Sequence, residues 1–469
     1  MVFRRILLLL ALLGASVACT PQNNPPQTAA AAASPPLPDV IAQEVGPTYA
    51  SPALQALIDR VGRKLVADAR IPGNYSFHIL DRPQPNAHAM GNNYIFVTRG
   101  LLALIDDEAE LAAALGHEIG HITLHHATQR ARERRQAMDA AVKAAAITGS
   151  VTVGRAVARD GLLALRRYSR DQELEADHAG LGYLVKAGYR GDAMVTLIEK
   201  LRRESLLQDR MLGPAFASDG HPDAMSTHPA ADERLAALAT MDLARTPGTS
   251  NRAGYLALLD GMSIDDRPEE GFVHGPLFVH PVMKLSFRAP SDFVLFNDPD
   301  GVLGVGRDRS MLYFSCTDER VPGRLSDWMR NKLTPTPTDI QETSINGIEA
   351  AVGAKPRGAD TGLAQLRHVL VRNGAGICFF NLLADGPDRD RRIEALIGAA
   401  RTFRLLSDAE AAALRPYRVR VIPRGNATPA ALAARLPYAD FRLERLLALN
   451  GVDDAAQFAQ RTTVKIIEP

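Results

Sequence analysis

Two histidines four residues apart enclose a glutamate in the segment His117-Glu118-Ile119-Gly120-His121. On a helix, residues i and i+4 lie on the same face, so both imidazoles can reach one metal ion. Glu118 then lies beside that ion, where its carboxylate can accept a proton from a water molecule. Zinc lowers the pKa of such a water to about 7. The HExxH spacing therefore indicates metal-assisted hydrolysis, most often of a peptide bond.

The surrounding sequence predicts the helix that this motif requires. Asp106, Asp107 and Glu108 supply a cap and acids that suit the positive end of a helix dipole. Apolar residues follow at helical spacing, namely Leu111, Ala112, Leu115, Ile119 and Ile122. The motif therefore lies inside a helix with apolar residues around it, as a partly buried metal site requires. The alternative, a solvated surface helix, fits this context less well.

A third ligand is expected in the acidic segment 168–177, which also has a helical pattern. Zinc needs a third protein ligand and an open position for water. Glu173 and Asp177 are four residues apart and share a face, so one can bind the metal while the other holds a ligand imidazole. Glu175 points elsewhere and is predicted to be a solvated surface acid. A charged amphipathic helix without metal is the alternative that the spacing leaves open.

The motif and the later segment Ser169–Asp177 resemble the gluzincin metallopeptidase family of the CAAX prenyl proteases, HtpX, the Oma-type proteases and BepA. Asn86–Ala89 and Tyr94–Leu102 upstream, and Ser226–Pro229 downstream, extend the resemblance over roughly residues 50–240. The resemblance implies a zinc metalloendopeptidase of the soluble periplasmic branch, with one Zn²⁺ per chain. It makes His117, His121 and Glu173 the metal ligands, Glu118 the general base and Asp177 the supporting acid.

Two further site residues follow from the same resemblance. His228 corresponds to a histidine near the metal that polarises the substrate carbonyl or occupies the fourth zinc position in a latent form. Arg234 corresponds to an arginine that supports the developing oxyanion. The alternative for His228 is that His228-Pro229 only starts a helix. His125 and His126 are expected to be structural residues that end the motif helix.

The segment before the motif departs from the family pattern. Gly91-Asn92-Asn93 replaces a Pro-Gly-Gly-like turn, and asparagine tolerates the positive φ that a tight turn requires. His88 stands where the family often has phenylalanine, and a packed or surface imidazole is expected. Tyr94–Thr98 is expected to offer a strand edge to an extended substrate.

The N-terminus has the pattern of a secretory signal peptide. Arg4 and Arg5 precede the apolar run 6–13, and small residues lead to Cys19. Ser16-Val17-Ala18-Cys19 is an imperfect lipobox, so we expect a periplasmic protein anchored to the outer membrane through Cys19. Ordinary cleavage after Ala18 is the alternative.

The predicted fold class is multidomain α+β. It comprises a signal peptide at 1–19, a flexible linker at 20–48, a mainly helical zincin protease domain at 49–245, a linker at 246–271, an α+β accessory domain at 272–408 and a βααβ domain at 417–469. The accessory domain resembles PsbP or Mog-like folds and lacks a catalytic constellation. A pair of helices with glycines at 149 and 154 is expected to cover the active-site cleft.

The C-terminal domain resembles a LysM module. Residues 424–428 (RGNAT) and 446–451 (LLALNG) stand in place of the usual LysM motifs. The resemblance implies a peptidoglycan partner, and the alternative is a domain that only packs against the protease.

Composition sets further limits. The net charge of +1 and a charged fraction of 23% give no support for nucleic-acid binding. Cys316 and Cys378 each lie in a strand-like apolar run, where one disulfide or two buried thiols are both open. The partners expected are therefore protein or peptide substrates, with peptidoglycan and a lipid anchor as additional contacts.

The sequence favours an envelope endopeptidase that cleaves misfolded or stalled proteins. The rival is a mainly non-proteolytic chaperone or assembly factor, tethered to the cell wall, whose zinc site is closed by His228. A cell-wall hydrolase is less favoured because wall amidases do not use this arrangement.

Overall fold

A computed structural model describes residues 34–91, 93–148, 151–213, 231–354 and 365–469. The described chain mixes helices and sheets in several domains, which confirms the multidomain α+β class. None of the described helices combines the length and the apolar character that crossing a bilayer requires. His228 and Cys19, the candidate carbonyl-polarising residue and the candidate lipid anchor, lie outside the described residues.

The N-terminal part is mainly helical. Its helices are α1 (Asp39–Val45), α2 (Pro52–Asp68), α3 (Arg99–Leu104), α4 (Glu108–Thr123), α5 (His126–Thr148), α6 (Val151–Lys186), α7 (Ala193–Leu212), α8 (Ala231–Ala239) and α9 (Arg252–Leu259). The motif helix is α4, and Asp107 caps it by accepting a 2.9 Å hydrogen bond from the backbone N–H of Glu110. The predicted helix and its acidic start are therefore confirmed.

A three-stranded sheet lies beside the motif helix. Its strands are β1 (Ser76–Leu80), β2 (Ala87–Met90) and β3 (Tyr94–Thr98), in the order β1-β3-β2. Since β3 is parallel to β1 and antiparallel to β2, both of its edges are paired. The expectation that Tyr94–Thr98 offers an edge to substrate is therefore wrong, and β1 and β2 are the outer strands of this sheet. The chain reverses between β2 and β3 with Asn93 at φ 63°, as the turn prediction required.

The middle part is built on two antiparallel sheets. The larger has the order β10-β11-β12-β13-β9-β8-β7 and the smaller β14-β6-β5-β4. The strands are β4 (Phe272–His274), β5 (Leu277–His280), β6 (Leu285–Arg288), β7 (Phe293–Asp298), β8 (Gly301–Gly306), β9 (Met311–Thr317), β10 (Thr338–Ile345), β11 (Ile348–Ala354), β12 (Gln365–Asn373), β13 (Gly376–Ala384) and β14 (Arg404–Leu405). The helices are α10 (Leu325–Lys332), α11 (Arg389–Arg401) and α12 (Asp408–Ala413). Cys316 and Cys378 face each other across β9 and β13 and form a disulfide.

The C-terminal module consists of β15 (Arg418–Pro423), α13 (Pro429–Ala433), α14 (Arg442–Leu449), α15 (Ala455–Ala459) and β16 (Thr463–Glu468). The two strands pair antiparallel, and three helices lie between them where two were expected. Buried residues of this module, such as Val419, Leu446 and Ile466, belong to the same hydrophobic cluster as those of the motif helix. The module therefore packs against the protease domain.

Two segments predicted as linkers are partly packed. In 246–271, α9 buries Tyr255, Leu256 and Leu259, so apolar burial holds this segment in the core. In 20–48, the described residues 34–48 include α1, and the backbone N–H of Ser34 donates a 3.2 Å hydrogen bond to buried Asp59. Both segments thus include packed residues, and the domain boundaries stay a prediction.

Candidate metal centre

His117, His121 and Glu173 converge between α4 and α6. One ligand-type atom from each lies within 4.8 Å of the others, and all three side chains are buried. The two Nε2 atoms of the histidines are 3.0 Å apart, and the Glu173 carboxylate lies 3.3 Å from His117 Nε2 and 3.4 Å from His121 Nε2. Two imidazole nitrogens and one carboxylate are a donor set that suits Zn²⁺. The residues present therefore fit one zinc ion.

Close packing of two helices brings these side chains together. A Cβ placed on Gly180 of α6 would lie 2.8 Å from the backbone nitrogen of His117, and one on Gly120 of α4 would lie 2.9 Å from the Ala176 carbonyl oxygen. Glycine at these positions lets α4 and α6 approach backbone to backbone. The close approach of α4 and α6 brings Glu173 next to the two histidines.

Asp177 forms a hydrogen bond with His117 on the side of the ring that faces away from the cluster. Its Oδ1 is 2.8 Å from His117 Nδ1, which leaves Nε2 directed at the cluster. Burial opposes the charge on Asp177, but Arg234 outweighs it and lowers the pKa of this carboxyl to about 2. Burial likewise opposes protonation of His117, yet Asp177 and Glu173 raise the His117 pKa to about 9. The short contact between His117 Nδ1 and Asp177 Oδ1 thus fixes the orientation of the His117 ring.

Arg234 is part of the same buried group. Its Nε and Nη2 donate hydrogen bonds of 2.6 and 2.7 Å to Asp177, and its Nη1 lies 3.4 Å from Glu173. The side chain is only 4% exposed. The sequence placed Arg234 at the developing oxyanion. The guanidinium is instead seen on the two carboxylates, and the oxyanion role remains a prediction.

His121 contacts His126, a residue that the sequence predicted to end the motif helix. Its Nδ1 lies 2.8 Å from Nδ1 of His126, whose Nε2 is 3.1 Å from Glu175. α4 ends at Thr123, and His125 adopts a left-handed conformation at φ 57° before α5 begins. Because the chain turns back there, His126 is fully buried behind His121 and does not end the motif helix.

Glu175 is exposed, as a surface acid is expected to be, but it has one further contact. Its side chain is 62% exposed but its carboxylate also contacts His126. Helical periodicity could not reveal this contact because His126 and Glu175 lie on different helices, 49 positions apart in the chain.

Glu118, the candidate general base, is buried beside the cluster with 2% of its surface exposed. Its charge acts on both His121 and Arg234. Burial lowers the pKa of His121 to about 4, although the hydrogen bond with Glu173 opposes that shift. A neutral imidazole is the form that can bind a metal ion.

Part of the chain that contains this cluster matches a known protein family. Residues 52–242 match the model of Peptidase family M48. This segment is therefore similar to M48 peptidases, and we call it the M48 domain. Peptidases of this family are metal-dependent, and the described residues of the M48 domain include a possible His/His/Glu metal site.

Several curated relatives match the M48 domain. The putative beta-barrel assembly-enhancing protease of Vibrio cholerae is 27% identical over 201 residues, covering 40% of this chain and 39% of the relative. The beta-barrel assembly-enhancing protease of Escherichia coli K12 is 28% identical over 202 residues with the same coverage. The mitochondrial metalloendopeptidase OMA1 of Schizosaccharomyces pombe is 28% identical over 180 residues, covering 38% of this chain and 50% of the relative. This chain therefore spans half or less of these relatives.

Among solved structures, cyanobacterial PsbP from Synechocystis sp. PCC 6803 is 11% identical and covers 28% of this chain and 91% of its own, at a TM-score of 0.22. A likeness at that score supports no structural conclusion.

The N-terminus of the motif helix α4 has a second cluster of buried charge in the M48 domain. Asp106, Asp107, Glu108 and Glu110 are each at most 5% exposed. Asp106 is surrounded by cations, with Arg252 at 2.8 Å, Lys465 at 3.0 Å and Lys200 at 3.1 Å. Burial opposes charge on Asp106, but Lys465 and the other cations lower its pKa well below the usual range. The C-terminal module thus supplies a charge to the start of α4.

Proposed function

We propose that this protein is a zinc metalloendopeptidase of the bacterial cell envelope that hydrolyses peptide bonds in misfolded or stalled envelope proteins. The observation that carries the proposal is the convergence of His117, His121 and Glu173, the donor set of a hydrolytic zinc site. The M48 match over 52–242 supports the peptidase class. The name of the bacterial relatives, beta-barrel assembly-enhancing protease, supports envelope proteins as the substrate class.

In the proposed chemistry, each residue of the site has a separate role. A bound Zn²⁺ supplies a Lewis acid that makes a water molecule nucleophilic near neutral pH. Glu118 accepts the proton of that water and passes it to the leaving amine. Asp177 would keep His117 Nε2 available to hold the ion, and Arg234 donates a hydrogen bond to Asp177. His228 is proposed to polarise the substrate carbonyl.

The proposed location is the periplasm. The signal-peptide pattern at residues 1–19 supports export, and Cys19 supports a lipid anchor at the outer membrane. The module at 417–469 is proposed to bring the enzyme near peptidoglycan through its LysM-like motifs. Its packing against the M48 domain equally fits a module that serves only the fold.

The test is casein degradation by the mature protein beside its Glu118→Gln form, with zinc content matched in the two samples. Removing the base is expected to lower kcat/KM by about 10²–10⁴-fold while zinc stays bound. Glu319→Gln, which changes an exposed glutamate outside the M48 domain, serves as the control and should keep full activity. Absence of cleavage by the zinc-loaded wild-type protein would contradict the proposal and favour the latent chaperone, with His228→Ala as the next variant.

A further inference from the structure

We propose that His126 is a positioning residue for His121, which it holds in the one tautomer that can bind the metal. The inference rests on the proposed metallopeptidase function and adds a residue to its site. His126 is fully buried, its ring centroid lies 5.0 Å from that of His121, and the two rings meet edge to face. The Nδ1 atoms are 2.8 Å apart, which is hydrogen-bond distance.

The positions of the protons follow from the chemistry of imidazole. A neutral imidazole has one N–H donor and one acceptor nitrogen. His121 Nε2 faces His117 and Glu173, so the lone pair of Nε2 must be available if this atom is to bind a metal. The proton of His121 then lies on Nδ1 and is donated to Nδ1 of His126.

The same reasoning extends to the next residue. With Nδ1 of His126 accepting, the proton of His126 lies on Nε2, which is 3.1 Å from Oε2 of Glu175 and donates to it. In this series of hydrogen bonds from His121 through His126 to Glu175, each ring nitrogen has a defined role as donor or acceptor. In the opposite arrangement, His126 donates to Nδ1 of His121, and the His121 proton is forced onto Nε2, where it blocks coordination. Glu175, as an acceptor only, selects the productive arrangement.

The two metal-binding histidines are therefore held in different ways. His117 is held by Asp177, a carboxylate on α6, at 2.8 Å. His121 is held by His126, which belongs to the next helix of the chain and is placed by the left-handed turn at His125. Groups that orient a ligand imidazole commonly change metal affinity by about 10–100-fold when they are removed.

The experiment compares zinc affinity, measured by competition with a chromogenic chelator, in the full mature chain and three His126 variants. Asn carries its Oδ1 near the position of histidine Nδ1, whereas Gln carries its Oε1 near Nε2. His126→Asn is thus expected to bind zinc within about 3-fold of wild type, while His126→Gln and His126→Ala bind about 10–100-fold more weakly. His125→Asn is the matched control, because His125 is exposed and asparagine tolerates its positive φ.

Thermal unfolding of each variant separates this role from a fold defect. If His126→Ala does not fold, the comparison of the Asn and Gln variants still decides, since a purely structural role would not favour one acceptor position. Equal zinc affinity in the folded Asn and Gln variants would overturn the inference while leaving the proposed function intact. A wild-type chain that binds no zinc would overturn the proposed function itself.

Discussion

At the scale of single residues, the candidate site is a set of buried charges that balance one another. Glu173 and Asp177 bring two carboxylates into the core, and Arg234 contacts both. A buried carboxylate is costly unless it is paired and hydrogen-bonded. Arg234 therefore stabilises the fold and the ligand geometry together, whatever part it takes in substrate binding.

Replacing Arg234 with methionine should lower both stability and metal affinity. The change leaves Asp177 without its guanidinium partner, and breaking a buried ion pair on one side costs about 3–5 kcal/mol. Zinc affinity should fall by about 10–100-fold because His117 loses a firmly held partner. Denaturant unfolding and chelator competition measure the two effects.

Arg245→Met is the control for this prediction. Arg245 is 66% exposed and pairs with an exposed aspartate, so its loss should cost less than about 1 kcal/mol. Equal behaviour of the Arg234 and Arg245 variants would show that the buried network does not support the site.

At the scale of elements, the site depends on how closely α4 and α6 pack. The HExxH spacing and the ExxxD spacing each place their residues on one helix face, and both were readable from the sequence. Glycines at the contact let the two faces meet. The candidate metal ligands thus come from two helices whose separation is set by glycines.

Gly180→Ala should push the two helices apart. Its Cβ would lie 2.8 Å from the backbone of His117, closer than van der Waals contact allows. Overpacking of this kind costs about 1–3 kcal/mol, and the shift should weaken zinc binding because Glu173 moves from the histidines. Unfolding free energy and zinc affinity are the measurements.

Gly182→Ala on the same helix gives a matched comparison. A Cβ there meets no atom within 4 Å, so alanine should stabilise α6 by about 0.5–1 kcal/mol through helix propensity. If both alanines had the same effect, close packing at Gly180 would not be setting the geometry.

At the scale of the whole molecule, the C-terminal module is joined to the M48 domain by a buried lysine. Lys465 Nζ donates to the carbonyl oxygens of Ala103, Leu104 and Ile105 at 2.7–2.9 Å and lies 3.0 Å from Asp106. These carbonyls end α3, so the cation satisfies a helix terminus as well as a carboxylate. Burial is the main cause that lowers the Lys465 pKa to about 8.

Lys465→Met should therefore destabilise the M48 domain although it lies in another module. The loss of a fully buried cation that serves Asp106 and three carbonyls should cost about 3–5 kcal/mol. Denaturant unfolding should show it, with the exposed Lys332→Met as the control at less than about 0.5 kcal/mol. Unchanged stability would mean that the module is attached without supporting the fold.

The sequence predicts the local features of the site but not its long-range contacts. The motif helix, its Asp107 cap and the position of Glu173 on a second helix follow local rules of periodicity and capping. The contact of Lys465 with Asp106 joins residues far apart in the chain, and no local pattern encodes it. Local patterns also do not encode the burial of α9, which lies in a segment predicted as a linker. Nor do they encode the pairing of β3 with a strand on each side.

The measurement that most directly tests the central claim is the zinc content per chain of the wild-type protein and of Glu173→Gln, determined by elemental analysis after dialysis. Glutamine keeps the size of Glu173 but removes its charge, so the third ligand is lost. Asp171→Asn, an exposed acid on the same helix, is the control. We predict about one zinc per chain in wild type and in the control, and little in Glu173→Gln. Full zinc content in Glu173→Gln would contradict the assignment of the metal site.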